Sequence, residues 1–151
     1  MVDTLFRGRP MANAKRLLVP VDGSQHSLRA LDLAIERAAA DPKIQLVVLN
    51  VQAPMPSSLF VTRSMIAEHQ AAGGKAALTK ALQKLHRHSM KAETIVGVGE
   101  PGQTIAKVAR RKHCGEIVLG SRGLGSAKGL ILGSVTTKVI HATRVPVTVV
   151  P

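Results

Sequence analysis

The sequence predicts an α/β protein: a single domain built on a doubly wound, five-stranded parallel sheet of order 3-2-1-4-5. Three observations predict it. Strand-like and helix-like segments alternate from end to end, β-α-β-α-β-α-β-α-β. The strand segments, IQLVVLNV above all, are apolar at consecutive positions, as strands covered on both faces must be. A chain of 151 residues fits one domain, and right-handed crossovers then put the first strand in the middle.

Residues 1–14 carry no pattern, and Met11 opens MANAKRLLVPVDGS like a more natural start. Residues 1–10 are read as a disordered extension or a start-site artefact, and the domain as 15–151. Lys15–Val21 (KRLLVPV) is the first strand, and Asp22-Gly23-Ser24 turns the chain into a helix over Ser24–Ala40. Leu28, Leu31, Ile35 and Ala38 recur there at helical spacing. Asp41-Pro42 ends it, because a residue before proline avoids the helical region. Ile44–Val51 is the second strand, and Ala53–Ser58 a loop with two prolines.

A long helical region spans Leu59–Ser89, with a weak point at Gly73-Gly74. Leu78, Ala81, Leu82 and Leu85 form its apolar face. Lys80, Lys84, Arg87 and Lys91 form a basic stripe opposite, most simply a solvated face. Ala92–Val96 is a strand, Pro101–His113 a helix, Glu116–Leu119 a strand, Ser134–His141 a helix and Val145–Val150 the last strand.

Composition narrows the function classes. Two Phe and no Trp or Tyr nearly exclude base stacking on aromatic rings. One cysteine, Cys114, excludes an intramolecular disulfide and a cysteine-cluster metal site; it reads as an inert small residue before a strand. The six histidines show no metal-ligand spacing, and no nucleophile–base arrangement stands out. No apolar run approaches a membrane span and no secretory h-region is visible, so a cytoplasmic location is expected. The net charge of +12 favours acidic partners. Nucleic acid stays a minor reading because of the missing aromatics.

Near the C-terminus runs GSRGLGSAKGLILGS. Gly120, Gly123, Gly133 and Ser134 give the spacing G-x2-G-x9-G-[S/T], which a chain of this composition would contain by accident about once in a hundred. Glycine permits close backbone approach and positive φ. A Gly-Ser pair opening a helix offers free N–H groups to an anion. The run follows strand 4 and faces Asp22 at the end of strand 1, where an open α/β sheet places its ligand. Arg122 and Lys128 lie in the same loop and either add charge or are solvated. The bland alternative is a flexible connection, but connections this long in small domains usually carry function. Asp22 is either a turn residue before the Ser24 cap or a group facing the ligand. A second match, Gly97-Val98-Gly99-Glu100-Pro101-Gly102, has the form G-x-G-x-x-G. It follows an edge strand and has Arg at 122 where an acid belongs, so it reads as a turn and helix cap.

LLVPVDGS, VVLNV and the segment from Ile117 to Val150 resemble the universal stress protein family, over Arg16 to Val150. The resemblance implies a Rossmann-like fold of the adenine nucleotide alpha hydrolase-like kind. The intact glycine spacing implies the ATP-binding subgroup, with Mg2+ or Mn2+ as companion ion. It puts Asp22 and Val51 at adenine and Pro20 and Leu119 along its pocket. Gly120, Arg122, Gly123, Gly133, Ser134 and Val135 would hold ribose and phosphates. It also implies a homodimer through the last strand, Val145, Val147 and Val149, which agrees with an apolar strand at a sheet edge. The expected function is a nucleotide-dependent stress-response regulator with an unknown protein partner, and at most slow ATP hydrolysis. The alternatives are a nucleotide-free dimeric interaction module and a nucleic-acid-associated basic protein. The family's usual acidic helix residues are largely Lys and Arg here.

Overall fold

A computed structural model describes residues 15–58, 61–125 and 132–151. The expectations for residues 1–14, the helix start at Leu59 and the role of Lys128 lie outside that set. The elements are β1 (Arg16–Pro20), α1 (Gln25–Ala40), β2 (Gln45–Gln52), α2 (Arg63–Arg87), β3 (Ala92–Val98), α3 (Pro101–Arg111), β4 (Glu116–Gly120), α4 (Ser134–Ala142) and β5 (Val147–Val150). The strands form one parallel sheet of order β3-β2-β1-β4-β5, as expected.

The consecutive apolar residues of the strands have a direct physical reason. Successive side chains point to opposite faces, and both faces are covered. Leu17, Val19, Val48 and Val118 meet α1 and α2 on one side. Leu18, Val47, Leu49 and Ile117 meet α3 and α4 on the other. Cys114 is buried, and burial pushes its thiol up from the ordinary value, in keeping with an inert role. Among the described residues no helix is long and apolar enough to cross a membrane.

Helix α2 departs from expectation in three places. It runs unbroken through Gly73-Gly74, which serve packing instead of weakening the helix. A Cβ on Gly74 would lie 2.7 Å from both Val96 methyls, and one on Gly73 2.7 Å from Gln52 Oε1. Leu82 is 43% exposed while Leu78, Ala81 and Leu85 are buried, so the apolar face is narrower than the spacing suggests. Lys84 turns toward α1 and bonds both Asp32 oxygens at 2.7 and 2.8 Å, leaving the basic stripe interrupted. At the end of the chain, Val145 N–H donates to Thr143 Oγ1 at 3.0 Å, so β5 begins only at Val147.

Helix starts differ in a way that matters for the site. Ser24, Thr62 and Glu100 cap α1, α2 and α3 with side-chain acceptors. Helix α4 begins at Gly133 with no side-chain cap.

Candidate functional site

Between the carboxyl ends of β1 and β4 lies a cavity of about 180 Å3. The crossovers from β1 and β4 leave in opposite directions here, which opens the crevice. Eight of the ten residues expected at a ligand line it: Pro20, Asp22, Val51, Leu119, Gly120, Arg122, Gly123 and Val135. Sequence reasoning missed Val21, Ser27, Leu49, Pro101, Ile105 and Thr136, which complete the wall. Leu49 could have been found from Val51, two residues on and so on the same strand face. Pro101 lies within the G-x-G-x-x-G match.

The three spaced glycines fold the chain onto itself. A Cβ on Gly120 would stand 2.6 Å from His26 C and 2.8 Å from Ser27 N, inside the first turn of α1. On Gly123 it would stand 2.6 Å from Asp22 Oδ2. On Gly133 it would lie 3.3 Å from Arg122 Cα. Close approach is therefore their common reason. Positive φ is found instead at Gly23 (86°) and Gly99 (150°). Gly133 and Ser134 stand outside the cavity wall. Gly133 N–H donates to the Ser121 carbonyl at 2.7 Å, so this amide is already engaged. The amides of the first turn, from Ser134 to Thr136, have no acceptor within the helix and no side-chain cap. Thr136 Oγ1 donates back to the Gly120 and Ser121 carbonyls at 2.9 and 3.3 Å, pinning α4 to the end of β4.

Asp22 links the two sides of the crevice. Its Oδ1 accepts from Ser24 N–H at 2.9 Å, and Oδ2 accepts from Leu124 N–H at 3.0 Å. Burial works to raise its pKa, but hydrogen bonds from Ser24, Ser27 and Leu124 outweigh it and hold the carboxyl below its ordinary value. Asp22 is thus both the turn residue and a group facing the cavity. Opposite it, Arg122 Nε is buried with no acceptor among the described residues. A buried donor without a partner is unusual in a folded protein and asks for one.

The model of the universal stress protein family matches residues 13–151. The chain belongs to the universal stress protein family. The universal stress protein YxiE of Bacillus subtilis (strain 168) is 33% identical over 145 residues, covering 89% of this chain and 97% of that one. The universal stress protein UspA from Lactobacillus plantarum superposes with a TM-score of 0.77 at 24% identity, over 90% of this chain and 97% of its own; this likeness is one of fold. A universal stress protein crystallised in complex with cAMP superposes with a TM-score of 0.67 at 26% identity, over 90% of this chain and 96% of its own.

In this universal stress protein the second glycine match is a packing device. Gly97 and Gly99 face Thr104, and Gly102 meets Lys138 Cβ of α4. Glu100 caps α3 through Gln103 N–H at 2.8 Å. No group of three His, Cys, Asp or Glu able to hold a metal occurs among the described residues. At the sheet edge, β5 pairs with β4 alone among the described residues, and its four residues are half-buried. Val145 and Val147 pack on the α3–α4 side of the core.

Proposed function

We propose that the chain binds an adenine nucleotide, ATP foremost, in the cavity between β1 and β4 and acts as a nucleotide-dependent stress-response regulator. One observation carries the reading. Arg122, with its orphaned Nε donor, and the uncapped start of α4 flank a mostly apolar cavity. Apolar walls suit a base, and free N–H groups suit phosphate. The volume is below the roughly 300 Å3 that encloses a whole drug-sized ligand, so the cavity takes the base and part of the sugar. The phosphates would run along the glycine loop toward Ser134. The complex of a related universal stress protein with cAMP supports the same ligand class. Asp22 is the one carboxylate in the wall among the described residues, and both its oxygens already accept N–H bonds. A Mg2+ or Mn2+ would therefore be carried mainly by the phosphates. Among the described residues, no side chain in the wall is placed as a general base, which fits holding a nucleotide better than turning it over.

The same reading includes a homodimer through β5, whose outer edge no strand among the described residues covers. Val149→Lys should convert the dimer to a monomer in light scattering.

One observation favours a second reading, a nucleotide-free dimeric interaction module. Contacts within the chain already account for Gly120, Gly123 and Gly133. Calorimetric titration with ATP, AMP and cAMP decides. Saturable heat, weakened in Arg122→Ala, supports the nucleotide site. Neither heat nor a thermal shift at millimolar nucleotide overturns it in favour of the module.

A further inference from the structure

We propose that the opposite pole of the sheet, at the amino ends of the strands, docks an acidic protein segment bearing apolar side chains. The inference is independent of the nucleotide reading. A second depression, of about 560 Å3, lies at that pole. Topology collects charge at that pole. All strands are parallel, so the connections from helix into strand, 41–44, 88–91, 112–115 and 143–146, share one end. They hold Lys43, Lys91, Lys112 and Arg144 against a single acid, Asp41.

Most acids of this pole are engaged; Glu36, exposed toward the end of α1, has no ion pair among the described residues. Asp41 bonds Lys15 at 2.6 Å, Glu116 bonds Arg37 at 2.7 Å, and Glu93 takes both Arg16 and Lys112. Lys43, Arg87, Lys91, Arg110, Arg111 and Arg144 are exposed, with no ion pair among the described residues. Cations in the last turn of a helix stabilise it through the macrodipole, and that explains Arg87, Arg110 and Arg111 without a partner. It does not explain Lys43, Lys91 and Arg144, which lie beyond the helices.

The floor selects among anions. Pro42, Ile44, Leu46, Met90 and Ala92 line the depression, with Ala39 beside them and Arg16, Lys91 and Glu93 at its rim. Nucleic acid would satisfy the cations through its phosphates, but its backbone offers nothing to an apolar floor, and among the described residues no aromatic side chain lines the groove for its bases. An acidic segment with leucine-like side chains satisfies floor and rim together.

The test is a fluorescence-anisotropy titration of the whole chain with labelled Glu-Glu-Leu-Leu-Glu-Glu-Leu at low salt. Binding should be saturable and weaken as salt rises. It should fall about fivefold or more in Lys43→Glu/Lys91→Glu, both exposed, from the reversal of one charge at the rim, Lys91, and one next in sequence to the lining residues Pro42 and Ile44, Lys43. Ala39→Gln, which fills the groove without adding charge, should weaken it about threefold with the fold intact. The proposal is overturned if the peptide does not bind. Equal binding of an all-glutamate peptide or a DNA duplex would also overturn it, as would an affinity unchanged in both variants.

Discussion

The two poles of the sheet solve opposite problems with the same backbone. At the carboxyl ends, the connections from strand into helix carry Asp22, Glu100, Arg122 and Lys128, two acids against two bases by sequence. Specificity there comes from backbone geometry: a loop folded against α1, Asp22 accepting two amides, and a helix start without a cap. At the amino ends, basic residues outnumber acids and six cations stand unpaired among the described residues. The charge of +12 therefore says little about the cavity. More of it lies at the other end of the molecule than at the cavity, and it should not be counted as support for a nucleotide.

The comparison predicts very different tolerance to substitution. Gly120→Ala drives a Cβ into the backbone of His26 and Ser27, and neither β4 nor α1 can yield without disturbing the core. A loss of about 2–3 kcal/mol is expected in urea unfolding. Lys91→Glu, exposed at the amino pole, should stay within about 0.5 kcal/mol of the parent. Equal losses would erase the distinction between a packed pole and a solvated one.

Gly133→Ala separates stability from binding within the carboxyl pole. Its Cβ would lie 3.3 Å from Arg122 Cα and 3.5 Å from the Ser121 carbonyl, tight but able to relax. Stability should fall by less than about 1 kcal/mol, because the cost depends on how far the neighbours can shift. Nucleotide affinity measured by calorimetry should fall about tenfold, because the same shift displaces Arg122 and the loop beside the cavity. An unchanged affinity would mean that this segment does not touch the ligand.

The sheet was legible because its signal is redundant. Val47, Val48 and Leu49 are each fully buried, and that run of apolar residues has no other comfortable home. The site was legible where one element supplies a continuous motif, as in Gly120 to Gly123. It was not legible where walls come from residues brought together only by the fold. Ile105 and Thr136 look like ordinary helix residues until α3 and α4 close over the crevice. The glycines misled in a different way. Spacing alone does not distinguish a Cβ that would strike a ligand from one that would strike His26. Gly73-Gly74 repeats the lesson, since a helix pressed against a sheet needs glycine as much as a helix break does.

The smallest expected effect separates the poles by their response to salt. Asp22 has a lowered pKa in the folded chain. Its contribution to stability is therefore complete above the unfolded value near 3.9 and is lost as pH falls through the lower folded value. Asp22→Asn keeps one acceptor oxygen but loses the charge, so it should cost about 1 kcal/mol at neutral pH. That gap should close as the pH falls below the ordinary carboxylate range. Asp41 and Glu93 at the amino pole also have lowered values, held first of all by hydrogen bonds from Lys15 and Lys112. They lose stabilisation in the same direction, but as exposed ion pairs they are screened by salt. The bonds to Asp22 come from amides and hydroxyls in a half-buried turn, and among the described residues no cation bonds it. Acid titrations of stability at low and high salt should therefore show the Asp22→Asn difference persisting. The share lost in Lys15→Ala or Lys112→Ala should shrink with added salt. A salt-sensitive Asp22 difference would mean that the turn draws its stability from distant charge, and the separation of the two poles would fail at the residue that most defines it.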